Sequence, residues 1–171
     1  MKKLLISIFL LISSIANSQT NLELTFNGIE PIIVEVDSLS APDIYKKINN
    51  WIQTTYKNPE EVIKADIENE MIRISGYEKG FFKRKFKSGN IVEYDTTYEM
   101  TFDIKDNKYR VTFKPGSISV DRKKVLFNEK NFFDEADVNG NSYEESIESY
   151  NKSMNDLNDS VQSYIVNDNN W

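Results

Sequence analysis

The sequence contains neither cysteine nor histidine. Without cysteine there is no disulfide, no thiolate nucleophile, no Cys-ligated metal and no lipid attachment at a cysteine following a leader. Without histidine the usual general base near neutral pH and the commonest metal ligand are missing, which excludes Ser-His-Asp and Cys-His machinery. The six glycines are scattered and build no Gly-rich phosphate loop. No cofactor is implied, and stability has to come from packing alone.

Long apolar runs are lacking too, except at the N-terminus. Lys2 and Lys3 precede an apolar run from Leu4 to Ile12 that resumes at Ile15, and Ala16-Asn17-Ser18 sets small residues three and one positions before Gln19. This is the layout of a cleavable signal peptide over residues 1–18, too short to span a bilayer as a stable helix. The expectation is an exported protein, periplasmic or extracellular, whose residues 19–171 form one soluble domain with no transmembrane segment. Losing Lys2 and Lys3 lowers the basic count from 21 to 19, which against 27 acidic side chains leaves a formal charge of −8. A net acidic protein outside the cytoplasm is a poor partner for nucleic acid.

Leu22, Leu24 and Phe26 alternate with polar residues as in a half-buried strand, Asn27-Gly28 signals a turn, and Ile32 to Val36 reads as a second strand. Ser40-Ala41-Pro42-Asp43 is a helix start, and Ile44, Ile48, Trp51, Ile52 and Thr55 fall on one helical face before Asn58-Pro59 stops it. From Val62 to Phe113 the period becomes two, with strand-like runs at 71–74, 81–86, 94–104 and 109–113 and a hairpin turn at Asp106-Asn107. Pro115-Gly116 then breaks the pattern, and the segment to Phe133 has room for another strand or two. The fold class is α+β: an antiparallel sheet of about five strands packed against a Trp-bearing helix, closed by a C-terminal amphipathic helix over about 142–165.

That last helix rests on Tyr143, Ile147, Tyr150, Met154, Leu157, Val161 and Tyr164, spaced alternately by four and three. About half of the segment is Ser, Asn or Asp, which costs roughly 6 kcal/mol of helix propensity in sum. Burying seven large side chains returns roughly 10 kcal/mol. The helix therefore needs a cover, its own sheet in preference to a partner.

Val36 to Ser40, Tyr45, Asn50-Trp51-Ile52, Lys57-Asn58-Pro59 with Val62-Ile63, and the hairpin from Tyr98 to Arg110 resemble an exported bacterial family, domain of unknown function 4468. The resemblance implies a TATA-binding-protein-like (TBP-like) fold with its core over about residues 31–114. It brings no activity and no catalytic residues, because a fold does not confer a function.

Glu135, Asp137 and Asn139 set oxygen side chains at alternate positions ahead of Gly140, the spacing of a calcium loop. Glu in the first position and Ser146 in the twelfth depart from that motif, so no metal is assigned. Lys83, Arg84 and Lys85 interleave with Phe81, Phe82 and Phe86. This composition suits an interaction surface for anionic headgroups or polyanionic glycans, but the preferred reading is a strand with one packed face whose lysines guard an edge. Carboxylate pairs at Glu60-Glu61, Asp134-Glu135 and Glu144-Glu145 match a glycosidase by residue type only. Asp37-Ser38-Leu39, Asp95-Thr96-Thr97 and Asp159-Ser160-Val161 fit a loose O-glycosylation pattern of acid, hydroxyl, then apolar residue or Thr. The reading that follows is a non-catalytic envelope or extracellular binding module with a protein partner or envelope component, and the alternative is a carboxylate-dependent glycan hydrolase.

Overall fold

Period-two alternation governs the middle of the chain, and in the computed structural model it becomes one antiparallel sheet. The structure describes residues 21–121, 123–128, 133 and 143–166. The expected signal peptide and the Glu135, Asp137, Asn139 ladder lie outside the described residues. Two short strands, β1 (Leu24–Thr25) and β2 (Gly28–Ile29), form a small hairpin; β3 (Ile32–Glu35), β4 (Ile63–Ile67), β5 (Met71–Lys85), β6 (Ile91–Lys105), β7 (Lys108–Val120) and β8 (Lys123–Leu126) form a six-stranded sheet. Its order is β3-β7-β6-β5-β4, with β8 also on β7. β3 takes Lys108 to Val111 of β7 and β8 takes Ser117 to Val120.

The runs at 71–74 and 81–86, expected as separate strands, are one strand. A bulge lies between the pairs Glu78↔Thr96 and Phe82↔Tyr94. Gly80 adopts φ +62 there, a conformation that suits glycine. From the opposite strand, Asp95 accepts the Gly80 N–H at 3.0 Å and the Tyr77 hydroxyl at 2.6 Å. The inserted residues disturb the alternation, so consecutive Phe81 and Phe82 are both buried. Pro115-Gly116 does not end β7 either. A second bulge falls between Thr96↔Ile118 and Tyr98↔Pro115, where Thr97 Oγ1 accepts the Ser117 N–H at 2.8 Å. Pro115 is tolerated because it lies between the β7 segments paired to β3 and β8, where no ladder partner needs its missing N–H. A Cβ on Gly116 would come within 2.9 Å of the Thr97 carbonyl oxygen.

Helix α1 (Ala41–Thr55) starts where its signals place it: the Ser40 side chain accepts from the Asp43 N–H, and Pro42 sits in the first turn. Ile44, Ile48, Trp51 and Ile52 are buried, whereas Thr55, expected on the same face, is exposed. The β6–β7 turn fastens this helix to the sheet. Asp106 Oδ1 accepts the Ala41 N–H at 2.8 Å, the Asn107 N–H reaches Leu39 O at 2.9 Å, and the Val36 N–H reaches Asn107 O at 2.8 Å. A single turn, α2 (Pro59–Val62), leads into β4.

The terminal helix α3 (Glu144–Val166) lies against β5 and α1, so its cover is its own fold. Its buried residues are Ser146, Tyr150, Met154, Asn158, Val161 and Ile165, while Tyr143, Ile147, Leu157 and Tyr164 are only partly buried beside them. The inward face is thus turned away from the expected stripe. The cause lies in its polar side chains, which bond to backbone elsewhere and to the Trp51 indole. Asn155 Oδ1 accepts the Leu22 N–H and its Nδ2 donates to Leu22 O, both at 2.8 Å; Asn151 Oδ1 accepts the Leu24 N–H at 2.8 Å. Ser149 Oγ accepts the Lys83 N–H at 3.1 Å, Ser153 Oγ donates to Phe81 O, and Ser160 Oγ accepts Trp51 Nε1–H at 3.0 Å. These bonds hold β1 and the bulged part of β5 against one helix.

Candidate interaction surfaces

The alternation that buries Ile72, Ile74, Tyr98, Met100, Phe102, Tyr109, Val111 and Phe113 under the helices sends their neighbours to the other face of the sheet. That face is at least partly solvated across its width, as antiparallel sheets permit. The registers align Ile33 with Arg110, Arg110 with Asp103, and Asp103 with Met71. Arg110 Nε and Nη2 both donate to Asp103 Oδ2, at 3.0 and 2.9 Å. In the next row Arg73 Nε donates to Thr101 Oγ1 at 3.2 Å, with Thr112 beyond it. Ile33, Asp103, Lys105, Lys108, Tyr109 and Arg110 line a shallow hollow of about 260 Å³ at the β3 end. One apolar side chain, 46% exposed, stands there among fixed charges.

A second cluster has perturbed ionisation. Glu78, on β5 beside α3, titrates above the usual carboxylate range because it has lost solvent and because Asp156 of α3 is near. The Tyr56 and Tyr98 hydroxyls meet at 3.0 Å, and burial raises both phenols. Tyr98 lies across Gly76, where a Cβ would overlap the phenol ring. The cluster therefore sets one carboxyl with a raised pKa beside a second carboxylate, which Lys152 engages as an ion pair.

Lys83, Arg84 and Lys85 lie in β5 past its bulge. Lys83 Nζ is 2.9 Å from Glu93 and Lys85 Nζ 3.8 Å from Glu145, with these lysine side chains still more than half exposed. The Arg84 guanidinium stacks over Tyr143 at 3.9 Å and Phe86 at 4.8 Å. The structure thus spreads the three residues over three separate intramolecular contacts. Glu60, Glu61, Glu144 and Glu145 are exposed and lie at helix starts. Among the described residues no group of three or more acidic side chains is placed to hold a metal ion.

Glu78 and the Asp103–Arg110 pair were missed in the sequence. The second was legible: a two-residue turn at Asp106-Asn107 pairs Lys105 with Lys108, which forces Asp103 opposite Arg110. Glu78 had no such signal, since its neighbour Asp156 comes from a helix far along the chain.

The model of a family described as a domain of unknown function (DUF4468) with TBP-like fold matches residues 32–118. The chain belongs to the DUF4468 family. The DUF4468 match spans β3 through most of β7, including the hairpin turn that holds α1, and leaves out β1, β2, β8 and α3. Two solved structures share the fold more widely. A DUF4468 family protein from Bacteroides ovatus aligns with a TM-score of 0.61 at 11% identity, over 90% of this chain and 94% of that one. A TBP-like protein from Parabacteroides distasonis aligns with a TM-score of 0.58 at 16% identity, over 81% and 92%. No curated protein matches the sequence. No helix among the described residues is long and apolar enough to cross a membrane.

Proposed function

We propose that this DUF4468 chain is exported by its N-terminal leader and acts as a non-catalytic binding module of the envelope or extracellular space, receiving a protein partner on the uncovered face of its sheet. The observation that carries the reading is the solvated row of Ile33, Arg110 and Asp103 with its hollow, a fixed pattern of charge around an exposed apolar side chain. The packed domain reaches back to Leu22, so cleavage after Ser18 leaves all the described contacts intact. The net acidic charge disfavours nucleic acid as the partner.

Crosslinking in the native envelope fraction tests the reading. A partner captured by the wild type is lost when Arg110 and Lys108 are both changed to Glu, and kept when the change is made at Lys83 and Lys85. Capture that ignores the sheet-face change would overturn it. The raised acid at Glu78 favours one other reading, a carboxylate-dependent glycan hydrolase with Glu78 as general acid. Release of reducing sugar from envelope glycans that disappears in Glu78→Gln would establish it in place of the first.

A further inference from the structure

Four residues other than glycine adopt a left-handed backbone among the described residues: Ser38, Asn69, Asn107 and Asp121. Asn and Asp are the types that tolerate this region, and serine is not. Ser38, at φ 65, sits in the turn between β3 and α1, whose flanks are pinned by the bonds of Val36 and Leu39 to Asn107. Both Asp37 and Ser38 are exposed, and among the described residues the Ser38 hydroxyl has no hydrogen-bond partner. The position bears a backbone cost for a side chain that the fold does not use.

Of the three acid-hydroxyl tripeptides, only this one has a hydroxyl that is both exposed and without a hydrogen-bond partner among the described residues. Thr96 is completely buried. Ser160 Oγ is held by the indole N–H of buried Trp51, in the contact between α1 and α3. A bulky group at buried Thr96 would have to part packed elements, and at Ser160, although exposed, it would have to break the bond to Trp51; at Ser38 neither cost arises.

We infer that Ser38 is a glycan acceptor, with Asp37 before it and Leu39 after it forming the recognised tripeptide. The inference rests on the export reading, since the modification belongs to the envelope. In the transfer, Ser38 Oγ forms a bond to the anomeric carbon of a sugar activated by phosphate. The bond from that carbon to the phosphate oxygen breaks, the phosphate leaves with its electron pair, and the hydroxyl proton passes to a base of the transferase.

Intact-mass measurement and peptide mapping of the full chain expressed in its native host test this. The expected product begins at Gln19 and carries a sugar mass on the peptide containing Ser38; the mass is lost in Ser38→Ala and Asp37→Ala and kept in Ser160→Ala. A product that begins at Gln19 with no added mass, or with one that survives Ser38→Ala, overturns the inference and leaves export standing. A product that retains the leader and carries no sugar overturns both. As a separate measurement, Ser38→Gly in a host lacking the transferase should melt at or above the wild type. A lower melting temperature would show that the fold needs this serine and would remove the premise.

Discussion

Helices α1 and α3 cover the same face of one sheet and are made by opposite means. α1 follows its own sequence: a serine cap, a first-turn proline and an apolar stripe that is buried nearly as spaced. α3 is poor in helix formers and turns toward the core a face that includes Ser146 and Asn158. Ser149, Asn151, Ser153, Asn155 and Ser160 act as hydrogen-bonding groups for Leu22, Leu24, Phe81, Lys83 and Trp51. A composition that weakens an isolated helix is what lets this one fasten distant backbone. Propensity describes α1, and only tertiary contact explains α3.

The comparison can be broken at the residue both helices share. Trp51, 1% exposed, packs edge-on to Tyr56 and Phe102 and donates to Ser160. Trp51→Ala should cost about 3–5 kcal/mol in urea denaturation, and a loss under 2 kcal/mol would mean that α1 and α3 are held independently of it. Asn155→Ala should cost about 2 kcal/mol, because it orphans both the N–H and the C=O of Leu22, and should speed amide exchange at Leu22. Ser40→Ala, which removes the α1 cap, should cost about 1 kcal/mol. The order matters more than the values: if the cap proves dearer than the clamp, the contrast between the helices is wrong.

A smaller effect tests the seam between α3 and β5. The folded pKa of Glu78 is raised, so its charged form is the disfavoured one. The destabilisation is absent below the unfolded value near 4.5 and enters as pH rises through the folded pKa. Glu78→Gln should therefore melt above the wild type at pH 7, with the difference vanishing toward pH 4. An equal gap at both pH values would place the cause in packing instead of charge.

Most of the sheet was legible because alternation along β6 and β7 is uninterrupted between the Asp106-Asn107 turn and the bulges. What escaped was set by irregularity. The Gly80 and Gly116 bulges carry β5 and β7 through residues that read locally as breaks, and their partners, Asp95 and Thr97, lie on another strand. The α3 stripe was right in existence and wrong in angle, because Leu157 and Asn158 compete for the inward position and the choice is made by contacts with other segments. At the candidate surfaces, Lys83, Arg84 and Lys85 stood out by composition, while Ile33 and Asp103 needed strand register to become neighbours.

The asparagine clamp also bears on the order of assembly. Leu22 and Asn155 are 133 residues apart, and they meet side chain to backbone. A chain emerging N-terminus first can build the β1–β2 hairpin and the β5–β6–β7 meander early from near neighbours, but the Leu22 backbone ahead of β1 has no partner until Asn155 has appeared. The segment around Leu22 is thus the last to be locked, and a chain truncated before α3 would leave it unfastened.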